Sequence, residues 1–254
     1  MPADEAFGSA RRVEQCMGTV FTFDVRAPGV PEAVLDDAVR LLHEIDATFS
    51  TYRADSEISR LARGELTPTE CSADVREVLD RCAELTADTD GYFSAYAAGS
   101  LDPSGYVKGW AIEQASDLLV AAGSENHCVN GGGDMQCVGG AGAGRPWRMG
   151  IAHPLGVHEL VATVVGCDLA IATSGIAERG AHVLDPHTAT PPRGLASVTV
   201  VGARIGLVDA YATAAFAMGE RARGWLEALP GHYGFGVDSD GTAWSTGQWG
   251  EPAD

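Results

Sequence analysis

One stretch near the C-terminus constrains the fold more than any other. It reads Val208-Asp209-Ala210-Tyr211-Ala212-Thr213-Ala214-Ala215-Phe216-Ala217-Met218-Gly219 and is apolar apart from Asp209 and Thr213. These two are four positions apart, about one helical turn, so their oxygens project from the same face. An apolar helix with a carboxylate and a hydroxyl on one face needs a partner for each. A hard cation that takes oxygen ligands would serve both. The alternative is local: Asp209 caps the helix and Thr213 bonds back to a carbonyl. The segment alone leaves both readings open.

The chain has 254 residues, which suits one large domain or two small ones with a real core. Its hydrophobic fraction of 45% and charged fraction of 20% are those of a soluble globular protein. The 32 glycines predict tight turns or close backbone approaches to a ligand. A formal net charge of -18 makes a nucleic-acid partner unfavourable, because phosphates would be repelled. An anionic ligand would need local compensation by a metal, a lysine or backbone amides. The cysteines (Cys16, Cys71, Cys82, Cys128, Cys137, Cys167) contain no C-x-x-C pair, which argues against zinc. They read as small buried apolar residues in a reducing compartment. No apolar leader opens the chain and no 18-residue apolar run occurs, so the expected location is the cytoplasm, without a membrane span.

Residues 13–26 read as a strand, 31–49 as a helix with Pro31 at its first position, and 50–59 as a polar loop. Residues 72–86 form a second amphipathic helix. Residues 91–109 are dense in Gly, Ser and Tyr without a period, and 110–121 read as a third helix. Short strands follow at 128–130, 135–138, 147–152, 160–165, 169–172 and 197–203, then the helix bearing Asp209, a last helix at 221–229 and a glycine-rich tail strand. Helices and strands mix without strict βαβ alternation. The expectation is an α+β fold, a mostly antiparallel sheet with packed helices, in one domain over 1–254 that has room for two lobes.

Several segments, in order along nearly the whole chain, resemble one family, the ApbE-type flavin transferases (FAD:protein FMN transferases). Met17-Gly18-Thr19 resembles the family's N-terminal strand motif. Phe49-Ser50-Thr51-Tyr52 with Asp55-Ser56-Glu57-Ile58 resembles its FSTY…SE loop. Asp102-Pro103-Ser104-Gly105-Tyr106-Val107-Lys108-Gly109 is similar to DLGGIAKG, and Asn130-Gly131-Gly132-Gly133-Asp134 to NxGGD. Thr173-Ser174-Gly175 matches the TSG turn, His182-Val183-Leu184-Asp185-Pro186 the HIIDP segment, and 209–213 the DALST segment. Each motif is weak alone; their shared order is not.

The resemblance implies an ApbE-like (T-fold-related) architecture, FAD as substrate and Mg²⁺ as cofactor. It places FAD contacts at Met17, Tyr52, Tyr92, Phe93, Ser94, Asp102, Lys108 and Val183. It places metal ligands at Asp209, Thr213 and the Gly105 carbonyl. One carboxylate, one hydroxyl and one carbonyl leave room on Mg²⁺ for pyrophosphate oxygens and water. The implied reaction moves FMN from FAD to a Thr or Ser hydroxyl of an acceptor protein and releases AMP. His182 is the candidate for proton handling, Asp185 for orienting it or acting as a second carboxylate, and Lys108 for a further positive charge. Each has a plain structural reading beside it: a solvated lysine, a core histidine, and packing roles for Tyr52 and Met17; residues 130–134 read either as a hairpin turn alone or as backbone amides that meet a phosphate.

The chain also departs from the family pattern. Gly91-Tyr92-Phe93-Ser94-Ala95 stands where GxFDPT is expected, with Ser94 in place of Asp. Only residues 95–101 separate it from Asp102, so a block that helps enclose the flavin in longer relatives is missing. The usual glycine after Thr188 is Ala189. Three functions are therefore weighed: an Mg²⁺-dependent FMN transferase, an Mg²⁺-dependent FAD pyrophosphatase giving FMN and AMP, and a non-catalytic flavin-binding protein.

Overall fold

The computed structural model describes residues 10–142, 144–176 and 183–247. It opens with a hairpin, β1 (Ala10–Cys16) and β2 (Thr19–Val25). Residues 13–26 are thus two strands rather than one, because Met17 and Gly18 take φ of 51° and 69° and reverse the chain. Helices α1 (Glu32–Phe49), the short α2 (Glu57–Ala62), α3 (Ala73–Asp88) and α4 (Ser104–Ala121) follow. Then come β3 (His127–Gly131), β4 (Asp134–Val138), β5 (Trp147–Ala152), β6 (Leu160–Gly166), β7 (Leu169–Gly175) and β8 (Leu195–Gly202). Helices α5 (Ile205–Met218) and α6 (Ala222–Ala228) precede β9 (Tyr233–Asp238) and β10 (Ala243–Ser245).

The α+β expectation holds. An eight-stranded antiparallel sheet runs in the order β1-β2-β3-β4-β7-β8-β9-β10, and β5 pairs only with β6. Alternation along the strands divides the two cores. Ala170, Ala172, Val198 and Val200 join the large helix-covered core, while Ile171 and Val201 face the other way and pack with Trp147, Met149, Ile151 and Val164 of the small sheet. Among the described residues no helix is long and apolar enough to cross a membrane.

Helix α5 is apolar on every side, so it lies wholly inside, against the sheet and against α4. Its partner α4 begins earlier than the glycine-rich sequence suggests, at Ser104 rather than residue 110. The two glycines that weaken helix propensity here are what the packing needs. A Cβ on Gly109 would lie 2.8 Å from both Asp209 Cβ and the Ile205 carbonyl oxygen. A Cβ on Gly105 would lie 3.3 Å from the Phe93 ring and 3.7 Å from Thr213 Cγ2. At Gly109 even a methyl group would force the helices apart. The N-terminus of α5 is held by side chains: Gln136 Oε1 accepts from the Ile205 amide at 2.9 Å, and Glu113 Oε2 from the Gly206 amide at 3.1 Å.

The far end of α4 is tied to the sheet through His127, which is fully buried between Ser116 and Ser124. Its Nε2 lies 2.8 Å from Ser116 Oγ and its Nδ1 3.0 Å from Ser124 Oγ. The cysteines are all reduced; Cys167 is exposed and Cys128 half-buried, against the expectation of uniform burial.

Register brings several loops to one end of the sheet. Cys16 pairs with Thr19 and Gly131 with Asp134, so the turns at 17–18 and 132–133 sit together, and Gly132 N–H donates to the Val20 carbonyl at 3.1 Å. Thr173 pairs with Thr199 where β7 runs toward the same end.

Two outcomes test this packing. Gly109→Ala should destabilise the protein by about 1–3 kcal/mol despite the better helix propensity of Ala, read as a lower urea midpoint. Burial pushes the His127 pKa down from 6.5 to about 4. The unfolded chain therefore binds this proton first as pH falls, and stability is lost between pH 6.5 and about 4. The stability gap between wild type and His127→Gln should narrow by about 3 kcal/mol across that window in denaturant titrations.

Candidate metal and flavin site

Asp209 does not cap its helix; Arg204 stands at that position. Instead Asp209 lies one turn inside α5, 4% exposed, beneath the first turns of α4. Thr213 follows one turn later and is half-buried beside Gly105. A Cβ built on Gly105 would be 3.9 Å from Thr213 Oγ1, and one built on Gly109, a turn further along α4, would be 3.1 Å from Asp209 Oδ2, so both polar residues of α5 face the first turns of α4.

The same place holds Lys108 and a second acid, Asp134, for which the sequence offered no role. Lys108 Nζ donates to Asp134 Oδ2 and lies 3.6 Å from Asp209 Oδ1. Asp134 is fully buried, and its Oδ1 accepts from the Thr173 amide at 3.0 Å. Asp209 Oδ2 is buried with no hydrogen-bond partner among the described residues. Burial pushes the Asp209 pKa well up, Lys108 draws it back, and the charge of Asp134 raises it again. Two buried carboxylates face one ammonium, and one oxygen is uncommitted. Such an arrangement suits a cation.

This observation answers whether the residues fit Mg²⁺. An orphaned carboxylate oxygen, a hydroxyl and a glycine carbonyl are hard oxygen donors, few in number, as Mg²⁺ takes when substrate phosphates complete its shell. Among the described residues no group of three or more His, Cys, Asp or Glu side chains gathers for a metal, so a softer ion with an all-protein cage is not indicated.

The candidate flavin contacts are placed as follows. Met17 is half-buried in the β1–β2 turn, in the left-handed region at φ 51°. Tyr52 is 98% exposed, so packing does not account for it. Tyr92 meets His187 edge to face, with ring centroids 4.6 Å apart, and its hydroxyl accepts from Arg221 at 2.8 Å. Phe93 is buried with its ring against Gly105, and Ser94 Oγ accepts from the Tyr96 amide at 3.1 Å. Asp102 Oδ1 accepts from the Ser104 amide at 3.0 Å and so steadies the first turn of α4. Val183 is buried in the large core.

The short 95–101 loop is closed where the Asp102 amide donates to the Ala95 carbonyl at 2.7 Å. His182 lies outside the described residues. Both Asp185 oxygens are engaged locally: Oδ1 accepts from the His187 amide at 2.9 Å and Oδ2 from the Thr188 hydroxyl at 3.0 Å. Ala189, where the family glycine is missing, has φ 54°, a conformation that favours glycine.

Asp134 is what residue-level reasoning missed. The motif 130–134 was visible, but its acid looked like the end of a hairpin turn. The turn is real, with Gly132 and Gly133 at φ 66° and 104°. Its consequence is to deliver Asp134 inward at the start of β4. One surface groove, about 480 Å³ and lined by Arg76, Asp80, Arg81 and Tyr106 among others, contains none of these site residues.

Comparison with known proteins follows the same outline. The profile of the ApbE family matches residues 17–99 and 94–234. The FAD:protein FMN transferase of Vibrio cholerae is 26% identical, over 80% of this chain and 80% of that protein. That of Rhodobacter capsulatus is 36% identical over 148 residues, 55% of this chain but 28% of the relative's length. Among solved structures, the flavin transferase ApbE from Vibrio cholerae superposes with a TM-score of 0.80 at 25% identity, covering 94% of this chain and 97% of that one. The apbe protein of Thermotoga maritima shares the fold with a TM-score of 0.83 at 21% identity. The motif order, the fold and the family match agree: this chain belongs to the ApbE family.

Proposed function

We propose that the chain transfers the FMN half of FAD to a Thr or Ser hydroxyl of an acceptor protein and releases AMP. The named relatives are FAD:protein FMN transferases. The observation that carries the reading to this chain is Asp209 Oδ2, a buried carboxylate oxygen without a hydrogen-bond partner among the described residues, beside Gly109 and on the same helix one turn from Thr213.

Asp209, Thr213 and the Gly105 carbonyl would hold Mg²⁺. When bound, the ion would neutralise the pyrophosphate and the charge that builds on the departing AMP. In the reaction itself, the acceptor oxygen forms a bond to the FMN phosphorus, the bond from that phosphorus to the AMP phosphate breaks, and the hydroxyl proton passes to a base. We assign that base to His182 from the sequence resemblance. Lys108, held by Asp134, contributes positive charge beside the site in a chain that is otherwise strongly acidic. Asp185 fits a supporting role: its carboxylate fixes the turn that follows Val183. Tyr52, Met17 and Tyr92 offer faces for the flavin or adenine rings.

The decisive experiment incubates the protein with FAD and Mg²⁺, with and without an acceptor peptide, and follows AMP and peptide mass. AMP that appears only with peptide, together with a peptide heavier by FMN, supports transfer. AMP without peptide would make the chain a pyrophosphatase, and intact bound FAD a flavin carrier; either result overturns the proposal.

Asp209→Asn carries a second test. It should lower AMP release by about 100-fold, the scale of losing one metal's charge stabilisation. It should also abolish the rise in melting temperature that Mg²⁺ gives the wild type. Without Mg²⁺ it should melt no lower than the wild type, because it removes a buried charge with an unsatisfied oxygen. Retained Mg²⁺ stabilisation in this variant would remove Asp209 from the ligand set.

A further inference from the structure

Asp134 has no part in the metal or flavin contacts assigned above, yet nothing charged near the site is more enclosed. It is 0% exposed and both its oxygens are engaged, one by the Thr173 amide and one by Lys108. Lys108 therefore stands between two carboxylates and favours one. Its ammonium makes its short contact with Asp134, while Asp209 Oδ1 is 3.6 Å away. Asp209 is left with Oδ2 unpartnered.

We propose that Asp134 is a positioning residue: it holds the Lys108 ammonium off Asp209 and so keeps Asp209 available to a divalent cation. The inference rests on Asp209 being a metal ligand. The Lys108 stem is long and flexible, and its charge is a compact point donor. With Asp134 neutral, Asp209 is still a buried anion within reach of Lys108, at 3.6 Å. An ammonium closed onto Asp209 competes for the oxygens that a metal needs. The charge balance moves the same way. Among the described residues, two carboxylates and one ammonium leave a net negative site; one of each leaves a balanced pair with little pull on a cation.

Magnesium binding to the full-length protein, without FAD, tests this by calorimetry. Asp134→Asn keeps an oxygen for the Thr173 amide and replaces the charged acceptor that faces Lys108 with an uncharged NH2 group. It should weaken Mg²⁺ binding by about tenfold or more, the scale of coupling between close buried charges. Adding Lys108→Met to that variant should restore binding, because the competing ammonium is gone. Lys108→Met alone should bind Mg²⁺ more tightly than wild type, and this variant keeps the test alive if Asp134→Asn folds poorly.

Unchanged binding in Asp134→Asn would overturn the proposal. So would a loss that Lys108→Met fails to relieve, since Asp134 would then act only as a structural anchor, or weaker binding in Lys108→Met alone. A different failure belongs to the underlying reading: if the wild type binds no Mg²⁺, or binds it no better than Asp209→Asn, then Asp209 is not a ligand and the role of Asp134 falls with it.

Discussion

Two aspartates share one lysine inside this protein, and much of the surrounding architecture serves that unequal arrangement. Removing carboxylates from water is unfavourable unless charge and hydrogen bonds compensate. Lys108 supplies one positive charge and the Thr173 amide one hydrogen bond. The Gly109 backbone also favours the charged form of Asp209, yet among the described residues its Oδ2 has no hydrogen-bond partner. A folded protein that retains such a cost in its interior usually has a use for it.

Geometry makes the cluster possible. Asp209 sits on a helix with no exposed side, so its carboxylate can reach other groups only where a neighbouring helix comes very close. Gly109 permits that approach, and Gly105 gives Thr213 the same intimacy one turn away. The β3–β4 hairpin then brings Asp134 in from the sheet. Three elements distant in sequence each contribute one charged group.

Much of this was legible in the chain. The polar pair at 209 and 213 in an apolar run marked the face on which a ligand could sit, and the order of weak motifs marked the family. Strand positions such as 147–152 were readable as short runs between glycine-rich turns. Other features were hidden for physical reasons. Propensity argued against helix at 104–109 because glycine is unfavourable there; close packing with α5 overrides it. The reversal at Met17 was obscured because a methionine at positive φ is not a turn signal. Asp134 was concealed by its own surroundings, since an acid after glycines looks like turn chemistry. Burial, the property that distinguishes it, is a tertiary fact. Asp209 illustrates the same limit: spacing located it, but its depth and its competition for Lys108 needed the packed helices.

The small β5–β6 sheet has a separate consequence. Its residues form their own core on the face of the large sheet opposite the helices, and its connecting loop is exposed, with Val157 81% accessible. The proposed metal site and this appendage are thus separated by the thickness of a β-sheet. The loop at 153–159 is accordingly a natural point for attaching a dye, a surface tether or a fusion partner while leaving the helix-covered side unencumbered.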